Sequence, residues 1–317
     1  MMKKNKFLAF MLIALLMIQA LTSCQLFQKT ARPLDTYMVF LAQNSVGSGG
    51  DLTTPVYNDW DFYKQEFYSN SELKNKTIDV NGKTIDLYYD QSMKVNLYDT
   101  DFHLYEGLYN EESLYVRYHA KTGKMTRFVR KDSQISRDYL SELSPSSSEK
   151  DYLEYVKEIL WKQAGVLLDG REMVLRTTII KNDGSTETLP YFVNNSEENP
   201  DFCAKYKFTF CSYVDGIKRA DDIEIVITNF GELFEMYAYS MDAKYRPYQD
   251  LKIDQELLTQ AVYDASPHVN DLQTTSRIAS FRALPTDSEL LIEALVEYYF
   301  GEVASGAVYL IKVAELE

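Results

Sequence analysis

Histidine and cysteine are scarce in this chain, with three of each among 317 residues. His103, His119 and His268 are scattered, and none stands at zinc-ligand spacing from a cysteine or carboxylate. The usual catalytic motifs are absent as well: no G-x-S-x-G, no H-E-x-x-H and no phosphate-cradling glycine loop occurs. These absences exclude the common zinc, serine-nucleophile and nucleotide chemistries and predict a protein that is not an enzyme, with no cofactor and no metal. Positive charge is also short. The chain has 33 Lys+Arg against 47 Asp+Glu, a formal net charge of −14. Such a surface repels phosphate backbones, which argues against a nucleic-acid partner.

Long apolar runs are confined to the N-terminus. "MMKKNK" supplies Lys3, Lys4 and Lys6, and "FLAFMLIALLMIQAL" follows with Gln19 as its one polar residue. A basic start, an apolar stretch and small residues before a cut form a secretory signal. The stretch is shorter than the ~20 residues a comfortable membrane span needs. It ends in Leu21-Thr22-Ser23-Cys24 rather than in a basic stop-transfer cluster. That tetrapeptide resembles the lipobox of bacterial lipoproteins. The resemblance implies removal of residues 1–23, acylation of the Cys24 thiol, and a protein held by lipid on the extracytoplasmic face of the cell membrane. Residues 1–23 hold three lysines and no acid, so the remainder carries 30 basic and 47 acidic groups and a formal charge of −17.

The other two cysteines lie in "DFCAKYKFTFC". Were Cys203 and Cys211 on one extended strand, eight steps of ~3.3 Å would hold them far beyond disulfide range. Two free or buried thiols are expected.

Tyrosine is plentiful, 25 in all, and aromatics make up 14% of the chain. That composition suits half-buried sheet. Residues 24–56 read as tether and loop, the Gly/Ser/Thr-rich stretch 44–56 above all, and 59–70 as a short helix or irregular structure. A β-rich domain is expected over 57–140, where Asn81-Gly82 between alternating segments is a strong two-residue hairpin signal. The serine-rich stretch 141–151 breaks the strands. Tyr152, Val156, Ile159 and Leu160 then recur at helical spacing, with Ser148 as N-cap and Gly165 as stop. Strands return with turns at Asp183-Gly184 and Gly231, and Ile223, Ile225 and Ile227 point one way. Residues 248–317 open with a helix over 254–265 capped by Asp254. Within 288–300 helix propensity and strand alternation compete, and the neighbouring strands favour a strand.

A repeat is visible. "YVRYHAKTGKMTRFVRK" (115–131) aligns with "IEIVITNFGELFEMYAY" (223–239), Gly123 falling on Gly231 at an offset of 108 residues. The second unit adds a helix and the turns Val214-Asp215-Gly216-Ile217 and Phe230-Gly231-Glu232-Leu233. In this it resembles the PepSY-like repeats of exported bacterial proteins. The resemblance covers about 150–245, and more weakly 76–131. It implies an α+β fold, antiparallel sheets with few helices built from helix-plus-sheet units, with a PepSY-like domain over 148–247. It further implies a domain that binds or restrains a protein or peptide partner and carries no catalytic residues.

The function expected is therefore a membrane-anchored binding or regulatory lipoprotein meeting its partner through tyrosine-rich sheet. Candidate binding residues are Trp60, Tyr63 and Tyr213. Two alternatives stand beside it. "NDWDFY" could stack a carbohydrate or small ligand. Acid pairs (Asp59 with Asp61, Asp99 with Asp101, Asp221 with Asp222) could perform glycoside hydrolysis if folded to face each other.

Overall fold

A computed structural model describes residues 30–41, 65–96, 99–131, 134–140, 143–193, 202–265, 275–300 and 303–317. Along the chain run β1 (Ala31–Leu41), β2 (Gln65–Tyr68), β3 (Lys76–Val80), β4 (Lys83–Val95), β5 (Thr100–Tyr109), β6 (Glu112–His119) and β7 (Met125–Arg130). Helix α1 (Glu149–Ile159) follows, extended by a π-helical turn over Leu160–Ala164. Then come β8 (Glu172–Ile180), β9 (Thr186–Leu189), β10 (Cys203–Cys211), β11 (Tyr213–Val214), β12 (Ile217–Lys218), β13 (Ile223–Thr228) and β14 (Leu233–Tyr237). The last part holds α2 (Asp242–Tyr245), α3 (Gln255–Ala265), β15 (Thr275–Pro285), β16 (Glu289–Phe300) and β17 (Val303–Leu316). Among the described residues no helix is long and apolar enough to cross a membrane.

One large antiparallel sheet takes the order β2-β4-β5-β6-β7-β14-β13-β10-β8-β9, with β3 also paired to β4. A second sheet has the order β1-β17-β16-β15, and β11 and β12 form a hairpin of their own. The molecule is thus mostly β. This corrects the α+β expectation: among the described residues there are no separate helix-plus-sheet units, because strands from both halves share one sheet. The reason is the contact between β7 and β14. Phe128 pairs with Met236, the residue 108 places further along, and Arg127↔Tyr237 and Val129↔Glu235 flank that pair. Each half contributes four neighbouring antiparallel strands, β4-β5-β6-β7 from one side and β8-β10-β13-β14 from the other. The two repeats join edge to edge about a local two-fold through Phe128 and Met236, both fully buried.

Turn chemistry sets the hairpins. Asn81 and Gly82 both take positive φ, 53° and 71°, as a two-residue turn between twisted strands requires. Gly231, at φ 88°, lies where an added Cβ would come 3.0 Å from Leu143. The segment 288–300 lies in a strand, since its alternation buries Ile292, Ala294, Val296 and Tyr298. Gln65–Tyr68 is a strand too, contrary to the helical or irregular reading of that stretch.

Helix α1 begins as expected. Ser148 and Asp151 form a reciprocal capping box. Tyr152, Val156 and Leu160 face the inner side of the large sheet, among Tyr206, Phe208, Phe210, Ile223, Ile225 and Ile227. Tyr152 donates to the Asn229 carbonyl at 2.5 Å and Tyr155 to that of Gly231 at 2.9 Å. The helix is thereby fixed to the β13–β14 turn. Helix α3, capped by Asp254 Oδ1 accepting from the Leu257 amide at 2.9 Å, contributes Leu258 and Val262 to the core of the second sheet.

Candidate binding face

The inner side of the large sheet is filled, whereas its outer side is open, with no helix packed on it among the described residues. Strand pairing places two rows of outer side chains across eight strands. The first runs Gln91, Leu104, Arg117, Arg127, Tyr237, Glu224, Thr209, Val174. The second runs Tyr88, Glu106, Tyr115, Val129, Glu235, Val226, Lys207, Arg176. At ~4.8 Å per strand this face is about 34 Å wide. Several of its apolar groups stand in solvent, with Tyr88 58%, Tyr115 37% and Val174 46% exposed.

The first half of the face is hollowed into a groove of about 480 Å³. Phe67, Met93, Leu104, Tyr115 and Val129 provide its apolar lining, and Arg117, Arg127 and Lys131 its cations, with Asp90 and Glu106 also present. A bulge between Tyr89 and Gln91 makes the curvature, since an extra residue bends its strand and increases local twist. Arg117 lies over the Phe102 ring at 4.5 Å and donates from Nε to Thr126 Oγ1 at 3.1 Å. Arg127 lies 5.1 Å from the Tyr237 ring, and Lys131 5.9 Å from that of Tyr115. Neither Arg127 nor Lys131 makes an ion pair among the described residues.

Behind this face a buried polar network holds the end of β7. Arg130 and Glu232 stand 3.6 Å apart with side chains 0% and 3% exposed. The Arg130 guanidinium lies 3.9 Å from the Tyr109 ring and donates to the Gln134 carbonyl at 2.9 Å. Glu232 accepts from the Tyr109 hydroxyl and from the Ser136 amide, both at 3.0 Å. Asn81 completes the network, accepting from the Leu233 amide at 2.7 Å and donating to the Leu233 carbonyl at 3.0 Å. Burial chiefly, with Glu232 adding to it and Asn81 and Arg130 opposing, pushes the Tyr109 hydroxyl up to about 12. The β3–β4 turn, β5, β7 and the β13–β14 turn are tied at one point, which fixes the strand presenting Arg127 and Lys131.

Of the residues expected to bind, Cys24, Trp60 and Tyr63 lie outside the described residues. Tyr213 sits on the β11–β12 hairpin opposite Lys218, 42% exposed, and does not line the groove. Three acids of the described pairs are already engaged. Asp221 is bonded to Arg171 and Arg219, Asp222 to Lys218, and Asp101 accepts from the Tyr68 hydroxyl at 3.0 Å. Asp59 and Asp61 lie outside the described residues. Cys203 and Cys211 are free thiols at opposite ends of β10. No cluster of three or more His, Cys, Asp and Glu able to hold a metal occurs among the described residues.

One arrangement was not visible in sequence. Ser92 Oγ lies 2.9 Å from His103 Nδ1 and 2.9 Å from the Tyr89 hydroxyl. Ser92 and His103 are cross-strand partners, so their proximity is a matter of register. Ser92 is fully buried, and the His103 imidazole is held below its ordinary value by burial and then by Lys76. With Ser92 fully buried, the three groups form a hydrogen-bond chain across β4 and β5. The groove residues missed from sequence are Phe67 on β2, Tyr115 and Arg117 on β6, Arg127 on β7 and Lys131 just past its end. For the residues of β6 and β7 strand alternation was the one available signal, and it marks a face without saying that the face is open. No protein-family model, no curated protein and no solved structure matches the chain.

Proposed function

We propose that this protein is a non-enzymatic lipoprotein, anchored through Cys24 on the extracytoplasmic face of the cell membrane, that binds or regulates a protein or peptide partner through the outer face of its large sheet. The observation that carries this reading is the open groove of Phe67, Leu104, Tyr115, Arg117, Arg127 and Lys131. Tyrosine and arginine are the side chains that most often dominate interface energetics. They supply large contact area and directional donors, and here a rigid strand scaffold presents them. The lipobox-like Leu21-Thr22-Ser23-Cys24 supports the anchor, since two or more acyl chains hold a protein firmly to a bilayer.

Two experiments test the reading. Cys24→Ser should shift the protein from the membrane fraction of its host to the soluble fraction, and loss of [³H]palmitate labelling should accompany the shift. A photo-crosslinking residue at Tyr115, in cells, should give one dominant protein adduct, and the same residue at exposed Leu167 should not. Unchanged membrane retention of the serine variant would refute the anchor. Equal labelling from both positions would refute the binding face.

A further inference from the structure

The reading of the outer sheet face as a docking surface can be taken further, to the chemistry of what docks. We infer that the partner's docking segment is an extended acidic peptide whose carboxylates are received by Arg127 and Lys131. This rests on the function proposed above.

Charge distribution carries the inference. The chain beyond residue 23 has 47 acidic and 30 basic groups. Across the two outer rows and the groove the balance reverses: Arg117, Arg127, Lys131, Lys207 and Arg176 face Asp90, Glu106, Glu224 and Glu235. Lys207 is already bound to Glu224 at 2.8 Å, and Arg117 is engaged with Phe102 and Thr126. The Arg127 and Lys131 side chains each lie near one aromatic ring, Tyr237 and Tyr115, and make no ion pair among the described residues. They stand exposed on either side of buried Val129, beside Tyr115. A basic segment would find an excess of acid over the chain as a whole and would meet two cations here.

Geometry supports an extended ligand. Arg127, Val129 and Lys131 alternate at the two-residue period of a strand, so a second extended chain above them would meet cation, apolar floor and cation in turn. Acidic side chains four positions apart fit that spacing, with the apolar side chain midway between them over Val129 and Tyr115. Arginine can hold a carboxylate bidentately, and a pair brought together against an aromatic surface is less screened than one in open water.

The test uses a random dodecapeptide library displayed on phage, panned against the immobilised full chain in detergent micelles. Counter-panning uses Arg127→Glu/Lys131→Glu, and circular dichroism and a thermal melt check that this variant is folded; both positions are exposed. The expected result is enrichment of peptides with excess Asp and Glu that lose at least about tenfold in affinity for the double variant, the equivalent of ~1.4 kcal/mol. Arg127→Lys should retain most of the binding. Neutral or basic enriched peptides, acidic peptides that bind both proteins equally, or no enrichment would each overturn the inference. Neutral peptides that depend on Tyr115 would overturn acidity alone and leave the docking face standing. Absence of both enrichment and crosslinks at position 115 would remove the face as well.

Discussion

Single residues decide most where charge is buried. Glu232 and Arg130 have no access to water and satisfy each other together with Tyr109, Ser136 and Gln134. Removing one charge leaves the other stranded, at a cost of about 3–5 kcal/mol, whereas replacing both by apolar groups of similar volume costs far less. Glu232→Gln should therefore lower the urea midpoint sharply, and Arg130→Met/Glu232→Leu should restore much of it. Tyrosine burial gives a second prediction. Tyr109 and Tyr118 are pushed from 10.0 up to about 12, in both cases chiefly by burial. A hydroxyl whose folded-state value is raised stabilises the fold fully below its unfolded value and loses that contribution as pH rises. Stability measured by urea titration should fall between pH 10 and 12, and Tyr118→Phe should flatten part of that fall.

Elements divide into those whose instructions are local and those whose are not. Helix α1 has everything at hand: a capping box at Ser148 and Asp151, a buried stripe of Tyr152, Val156 and Leu160, and Gly165 in the left-handed conformation at its end. Leu160→Ala should cost about 2–5 kcal/mol, because fully buried Leu160 leaves a cavity between helix and sheet. Ser148→Ala should cost only ~1 kcal/mol. Thermal melts of the two variants would separate packing from capping. The Asn81-Gly82 hairpin was legible for the same local reason, whereas over 288–300 local propensity pointed to helix and only the neighbouring strands favoured the strand that forms. The merging of two halves into one sheet was not legible, because the β7–β14 pairing spans 108 residues and no local pattern announces it. That long-range contact is what turned an expected α+β fold into a mostly β one. Edge strand β2 was missed because all four of its residues are exposed, leaving no alternation to find. The groove was legible only as separate strands; its openness is a property of their assembly.

At the scale of the whole molecule, a second charged cluster joins the two sheets. Arg171 and Arg219 both grip Asp221, whose side chain is 1% exposed, and both reach Asp242. Asp221 also accepts from the Met241 amide at 2.7 Å. Beside it the Arg219 guanidinium lies 3.8 Å from the Tyr245 ring, and Tyr245 donates to the Ala283 carbonyl of β15 at 2.5 Å. Asp221→Asn should loosen this joint, so that the β1-β17-β16-β15 sheet melts before the rest. Two calorimetric transitions would show it, and a single cooperative one at an unchanged temperature would refute it. The pairing of β7 with β14 has a consequence of another kind. Each strand hides the other's unpaired amides and carbonyls, groups that in a lone meander would template association with further chains. Because the partner edge is supplied in cis, the seam closes at any dilution and leaves no terminus from which a polymer could grow there. A truncation lacking β14 would uncap β7 and turn a sealed internal suture into a nucleus for fibrils.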